Sequence, residues 1–325
     1  MRAILIGLGD MGMAWYELLT ERDDIALVAV ADQNPATFQA IKELGNATSC
    51  RFYTDAATAM DEMKPDIVCN VTPPSVHNLV NLLAFERNIP VLCEKPIAEN
   101  DEDVRETISH AQGQKLMIAE NYRYMVHMRW MRKLVSEGKI GEILSVRIDF
   151  SRFHSMENYH MKMEQPLLLD VGIHHLDALR YLTGDEAESV FADLFHFVPN
   201  HYSGYASAVL YLKMKTGAKV IYSGSLDSHE NNTDWFGDWC LTGTKGVIRY
   251  TKGQLFCSTK EQVTEIPLPE NTDNGMNAML DEFIAYVQDG ILPETHISDN
   301  IKSFNIVRAA IFSHESRKEW VLNND

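Results

Sequence analysis

The sequence predicts an α/β chain, an N-terminal doubly wound parallel sheet followed by an α+β domain with an open, largely antiparallel sheet. Three observations predict it. Apolar runs of strand length alternate with helical segments from Met1 to about Glu120. The first run leads straight into a glycine-spaced turn, Gly7-x-Gly9-x-x-Gly12. Past Tyr122 the pattern changes to long alternating segments separated by turn-rich breaks, the mark of a sheet with one wet face. At 325 residues the chain suits two domains better than one. The expected division is 1–120 and 121–325, with no low-complexity linker, so that the domains meet directly across a cleft.

Residues 3–6 have the length of a buried parallel strand. Gly7 permits the tight turn, Gly9 lets the backbone approach a pyrophosphate, and Gly12 lets a helix over 13–20 pack closely on the strand. The phosphates then meet free N–H groups and the helix dipole around Asp10, Met11 and Gly12. A second strand, 25–31, ends at Asp32, about 20 residues past Gly12, where a carboxylate accepts hydrogen bonds from an adenosine ribose. That carboxylate repels a 2′-phosphate, and Gln33 and Asn34 bring no cation beside it. NAD is therefore expected in preference to NADP.

The first sheet continues with a helix over 35–44 ended by Gly45, a strand over 51–53, and a helix capped by Asp55 that runs through Met63. Then come a strand over 66–71, the turn Thr72-Pro73-Pro74, a helix over 76–87, a strand over 90–93, a helix over 101–112 and a strand over 116–119. Ligands of such sheets bind beyond the carboxyl ends of the strands, where Gly9, Asp32, Thr72, Pro73, His77, Glu94 and Lys95 fall. In the second half, a helix over 128–137 is closed by Gly138. Strands are expected at 143–150, 205–213, 219–225, 239–241, 247–250 and 262–266, with final helices over 276–288 and 299–314.

Composition excludes several classes. The net charge of −17 argues against nucleic acid or an anionic membrane surface, both of which need a basic face. Five scattered cysteines without a CxxC pair fit a reducing cytoplasm rather than a disulfide framework or a cysteine-built zinc site. No signal peptide is expected before the first strand, and no apolar run approaches the roughly 20 residues of a membrane helix.

A redox cofactor calls for a proton carrier, because oxidising an alcohol removes a hydride from carbon and a proton from oxygen. Lys95, after a buried strand at the cofactor end of the sheet, can bond the reacting oxygen; its alternative is a surface lysine paired to Glu94. In Leu169-Asp170-Val171-Gly172-Ile173-His174-His175-Leu176-Asp177, a helix puts Asp170 and His174 on one face at i, i+4. A carboxylate there fixes the imidazole tautomer and favours its charged form. Asp177, at i+3, is also in reach of His174, while His175 points elsewhere. A purely structural Asp–His bond is the alternative. A metal site from His154, His160, His174 and His175 fits no common ligand spacing, so none is expected.

Gly7-x-Gly9-x-x-Gly12, Thr72-Pro73-Pro74 with His77, Glu94-Lys95-Pro96, Asn121-Tyr122-Arg123 and Asp170-x-Gly172-x-His174 occur in that order. Together they resemble the Gfo/Idh/MocA family, the glucose–fructose oxidoreductase and inositol dehydrogenase group. Gly141-Glu142-Ile143 and Gly243-Thr244-Lys245-Gly246 resemble family turns as well, and the likeness runs nearly the whole length. The resemblance implies an N-terminal Rossmann domain and a C-terminal domain whose open sheet forms a homodimer or homotetramer interface. It implies Lys95, Asp170 and His174 as the catalytic set, with His174 the proton acceptor and Lys95 polarising the reacting oxygen. Tyr122 and Arg123 match a segment near cofactor and substrate.

The chain departs from the pattern at Glu164-Gln165-Pro166, where many members carry glycines, and at Met125-Val126-His127, where a proline is usual. Both places are expected to border the substrate pocket, with Tyr159, His160, Trp235 and Asp238 as further candidates or as ordinary core residues. The expected activity is an NAD-dependent oxidoreductase acting on a secondary hydroxyl or ketone of a sugar, inositol or related polyol. An NAD-retaining glycoside hydrolase of the same family and a non-catalytic nucleotide-binding sensor are the alternatives.

Overall fold

The computed structural model describes residues 1–43, 50–154, 159–196, 202–228, 232–270 and 275–322. The expected helix stop at Gly45 and the side chain of Tyr159 lie outside the described residues. The chain divides into two compact units, Met1–Ala119 with Asn277–Asp299, and Glu120–Met276 with Asn300–Asp325.

The first unit alternates strand and helix: β1 (Arg2–Ile6), α1 (Asp10–Glu21), β2 (Ala26–Ala31), α2 (Thr37–Glu43), β3 (Arg51–Tyr53), α3 (Ala56–Met63), β4 (Ile67–Asn70), α4 (Pro74–Phe85), β5 (Val91–Glu94), α5 (Asp101–His110) and β6 (Leu116–Ala119). All its strand pairs are parallel, in the order β3-β2-β1-β4-β5-β6. That is the doubly wound order of two mononucleotide-binding halves. β4, β5 and β6 are buried throughout, as a sheet covered on both faces demands. On α1 the buried residues are Gly12, Trp15, Tyr16 and Leu19, spaced i, i+3, i+4, i+7 along one stripe. Asp55 caps α3 by accepting from the Thr58 N–H.

In the second unit α6 (Val126–Ser136), β7 (Ile143–Ser151), α7 (Ile173–Thr183), β8 (Ala187–Phe195), β9 (Ser207–Met214), β10 (Lys219–Ser225), β11 (Asp238–Gly243), β12 (Gly246–Thr251), β13 (Gln254–Thr259) and β14 (Val263–Ile266) follow in order. Then come α8 (Met276–Asp289), α9 (Ile297–Ser316) and β15 (Trp320–Val321). Nine strands form one sheet, β14-β13-β12-β11-β7-β10-β9-β8-β15, antiparallel except between β7 and β10. One cross-strand row, Val190, Leu212, Val220, Val146, Leu241 and Ile248, is buried. The neighbouring row on the other face begins Phe191, Tyr211 and Ile221, which are 45%, 39% and 49% exposed. Period-two alternation therefore separates a core face from an outward face that still carries apolar side chains.

Three differences from the sequence reading have physical causes. β8, β13 and β15 were not expected; β8 carries an irregularity between Ala187 and Ser189 that buries Ser189 and breaks its alternation. Residues 167–172 form a π-helical turn rather than the start of the α-helix, and the Ile173 N–H reaches back five residues to the Leu168 carbonyl. The segment Asn277–Asp299 packs with the first unit, tied there by Lys115 Nζ on the Val287 carbonyl (2.7 Å) and Arg22 on Asp281 (2.6 Å).

Candidate active site

The glycine turn is shaped by what surrounds it. Gly7 has φ +97°, and a Cβ on it would stand 2.4 Å from the Val71 carbonyl oxygen, so only glycine fits between strand end and neighbouring loop. A Cβ on Gly12 would stand 2.3 Å from the Gly7 carbonyl oxygen, which is the close approach of α1 to β1. Gly9, the N-cap of α1, faces open space instead. The cradle a side chain would fill lies at the helix N-terminus, where phosphate oxygens meet N–H donors. Asp10 and Met11 are exposed in that first turn.

Asp32 ends β2 with both carboxylate oxygens committed to backbone: Oδ2 accepts from Leu8 N–H (2.8 Å) and Oδ1 from Asn34 N–H (2.8 Å). The carboxylate is thus locked beside the glycine turn, and each oxygen keeps a lone pair for a ribose hydroxyl. These residues fit the adenosine end of a dinucleotide.

Beyond β4, buried Asn70 holds the Thr72-Pro73-Pro74 turn by accepting from the Thr72 hydroxyl (2.7 Å), and it donates to Asn81 (2.9 Å). His77, expected at the cofactor, has no exposed surface. Its Nε2 lies 2.7 Å from the Thr72 carbonyl and its Nδ1 lies 2.8 Å from that of Pro96. The neutral ring donates to one of these carbonyls and packs against the other, between the cofactor-side turn and the loop carrying Lys95, an indirect role. Burial pulls its pKa down to about 4 against the two carbonyl contacts. Glu94 accepts from Trp15 Nε1 (2.8 Å) and from the backbone N–H of Lys95 (3.2 Å). Lys95 is half-buried and precedes a cis peptide to Pro96.

In the second unit, His174 opens α7 just after the π turn. The carboxylate at its Nδ1 is Glu120 (2.5 Å), not the expected Asp170. Asp170 lies 3.6 Å from His160 Nε2. Tyr122 stacks on His174 and donates its hydroxyl to the Trp235 carbonyl (2.9 Å). His175 turns the other way, with Nε2 3.0 Å from the same carbonyl and Nδ1 3.3 Å from the Tyr222 hydroxyl. Arg152 covers the Trp235 ring at 4.6 Å, and His154 meets its edge at 5.0 Å.

Asp177, expected within reach of His174, instead receives the Arg123 guanidinium in a fork at 2.6 and 2.7 Å and the Ser303 hydroxyl at 2.6 Å. Arg123, expected to face substrate, is 5% exposed in that pair. His127 is buried too, stacked on Tyr250 at 4.3 Å. Asp234 accepts from the Tyr250 hydroxyl (2.8 Å), and burial holds its carboxyl above the usual range.

Residues 1–122 match the family model described as an oxidoreductase family with an NAD-binding Rossmann fold, and residues 128–249 match the model of the GFO/IDH/MocA C-terminal domain. The chain belongs to the Gfo/Idh/MocA family. An inositol 2-dehydrogenase of Rhizobium meliloti is 31% identical over 229 residues, 68% of this chain and 67% of that protein. A D-glucoside 3-dehydrogenase of Escherichia coli is 31% identical over 60% of this chain and 58% of that one. Among solved structures, an Agrobacterium radiobacter oxidoreductase crystallised with NAD+, L-tartaric acid and magnesium superposes with a TM-score of 0.90 at 22% identity, over 98% of each chain. As a Gfo/Idh/MocA protein the chain is an NAD-binding oxidoreductase, and its named relatives are sugar and inositol dehydrogenases.

Two residues of the candidate site were invisible to sequence reasoning. Glu120 carries no local signal, since its partner is 54 residues away. Trp15 looks like an ordinary stripe residue of α1, yet its indole N–H fixes Glu94 next to Lys95. Among the described residues no helix is long and apolar enough to cross a membrane.

Proposed function

We propose that this enzyme transfers a hydride between NAD and a secondary hydroxyl or ketone of a sugar, inositol or related polyol. Lys95 and His174 act on one carbon–oxygen group, Lys95 bonding the oxygen and His174 exchanging its proton. Asp170 and Tyr122 line the substrate side, and Arg123 and His77 hold the backbone that carries these groups. The observation that carries the reading is Lys95: an amine at the carboxyl end of a buried strand, two strands from the glycine turn, with its backbone fixed by Glu94.

Bound NAD supplies the hydride acceptor. The chain's own residues do the rest. The Gly9 cradle receives the pyrophosphate, and Asp32 accepts from the ribose hydroxyls and repels a 2′-phosphate, which favours NAD over NADP. The Lys95 ammonium lowers the pKa of the hydroxyl it bonds, and the imidazole takes the proton as the hydride leaves carbon.

The outward row of Phe191, Tyr211 and Ile221 supports a homodimer or homotetramer built on the nine-stranded sheet. Five free thiols, four of them buried, support a reducing cytoplasm.

The test is NADH absorbance with myo-inositol, a methyl glucoside and D-apiose, after measuring the cofactor that co-purifies. Lys95→Ala and His174→Ala should each lower kcat by about 10²–10⁴ on the best of these. A variant with wild-type turnover removes its residue from the mechanism. Sugar released from the glucoside without net NADH points instead to the NAD-retaining hydrolase, and binding of NAD without turnover of any sugar or polyol to a sensor.

A further inference from the structure

We propose that Glu120 is the positioning residue of the acid–base step, holding His174 with its proton on Nδ1 so that Nε2 exchanges the substrate proton. The inference deepens the reading above and rests on His174 being the proton acceptor.

Glu120 has no exposed surface, and its Oε2 lies 2.5 Å from His174 Nδ1. It leaves the end of β6 and enters the short 3₁₀ turn Asn121–Tyr124, so its backbone is pinned between two regular elements. Tyr122, in that same turn, lies parallel to the His174 ring at 4.3 Å and sets its plane. One three-residue stretch, Glu120 to Tyr122, therefore fixes both the orientation of the imidazole and the atom its proton occupies.

The chemistry follows from donor and acceptor counts. An ionised carboxylate only accepts, so Nδ1 donates, and a neutral imidazole donating from Nδ1 presents a lone pair at Nε2. When the hydroxyl is oxidised, its proton passes to Nε2 and the hydride from carbon passes to the nicotinamide. The imidazolium formed is neutralised by Glu120 across the Nδ1 bond, and the carboxylate stays unprotonated, the arrangement by which an acid orients a catalytic histidine. Of the rings packed around His174, the Tyr122 phenol is held protonated by burial and His175 is kept neutral with its pKa lowered to about 3, while the Asp170 and Asp234 carboxylates act on Tyr122 alongside Glu120.

The decisive measurement is ¹⁵N NMR of the NAD-loaded enzyme labelled at histidine, with His174 assigned from the signal lost in His174→Ala. The expected result is a proton on Nδ1 with a strongly downfield N–H resonance; a proton on Nε2 overturns the proposal. This readout needs no change at Glu120. In parallel, Glu120→Gln should move that resonance upfield and lower kcat by about 10² or more, with KM changed less than about threefold. A Glu120→Gln enzyme with kcat within about threefold of wild type, alongside an impaired His174→Ala, overturns the proposal and leaves the role of His174 standing. Wild-type turnover in His174→Ala sinks the acid–base reading itself, and this proposal with it.

Discussion

The Tyr122 ring lies flat against His174, centroids 4.3 Å apart and planes 11° apart, while its hydroxyl donates to the Trp235 carbonyl at 2.9 Å. The stack and the hydrogen bond make separable predictions. Tyr122→Phe keeps the stack and should cost about 1 kcal/mol of stability with turnover nearly unchanged. Tyr122→Ala removes the wall that sets the ring plane, and kcat should fall by about 10-fold. Steady-state rates of the two variants, read beside their urea midpoints, check both.

Asp32 makes cofactor choice a matter of one charge. Asp32→Asn keeps an oxygen for one of the two backbone N–H groups while removing the charge that repels a 2′-phosphate. The ratio of kcat/KM for NAD over NADP should drop by about 10–100-fold, the range of a lost hydrogen bond to a charged acceptor. An unchanged ratio would show that another group reads the ribose.

Arg123→Ala should be felt in stability before activity. It strips the fork from a fully buried Asp177, whose remaining partners are the Ser303 hydroxyl and Arg180 at 3.7 Å. Removing one partner of a buried pair costs about 3–5 kcal/mol, and the two survivors put the expectation at the low end, about 3 kcal/mol. Denaturant unfolding of the purified variant measures it directly.

Acid sensitivity follows from histidines buried neutral. Burial lowers His127 and His175 to about 3, against about 6.5 in the unfolded chain. Between those values the unfolded state binds more protons, so the stability these rings contribute is complete above pH 6.5 and is lost as the pH falls through that window. His127→Phe keeps an aromatic ring on Tyr250 and removes one such proton. The slope of unfolding free energy against pH should flatten by about 1.4 kcal/mol per pH unit between pH 4 and 6. Urea titrations at a series of pH values would register the change, and identical slopes in both proteins would rule it out.

Much of the first unit was legible because its signals are local. A positive φ at Gly7, a stripe at 12, 15, 16 and 19, and unbroken apolar strands are properties of short stretches. Asp32 was legible for a similar reason, since a strand of ordinary length sets its distance from the glycine turn. β8 was not, because an irregularity at Ala187–Ser189 buries a serine and leaves Phe191 exposed, against the expected alternation.

By itself the sequence determined which backbone positions must be glycine, which faces are apolar and where acids, amines and imidazoles stand along the chain. Only the tertiary structure decided which of them pair: Glu120 at the Nδ1 of His174, Asp177 on Arg123, His77 between two carbonyls. The reason is physical. Strand and helix periods are set by bonds a few residues apart, whereas the partner of a buried polar group is whichever complementary group the folded chain brings within about 3 Å, and sequence distance does not enter that choice.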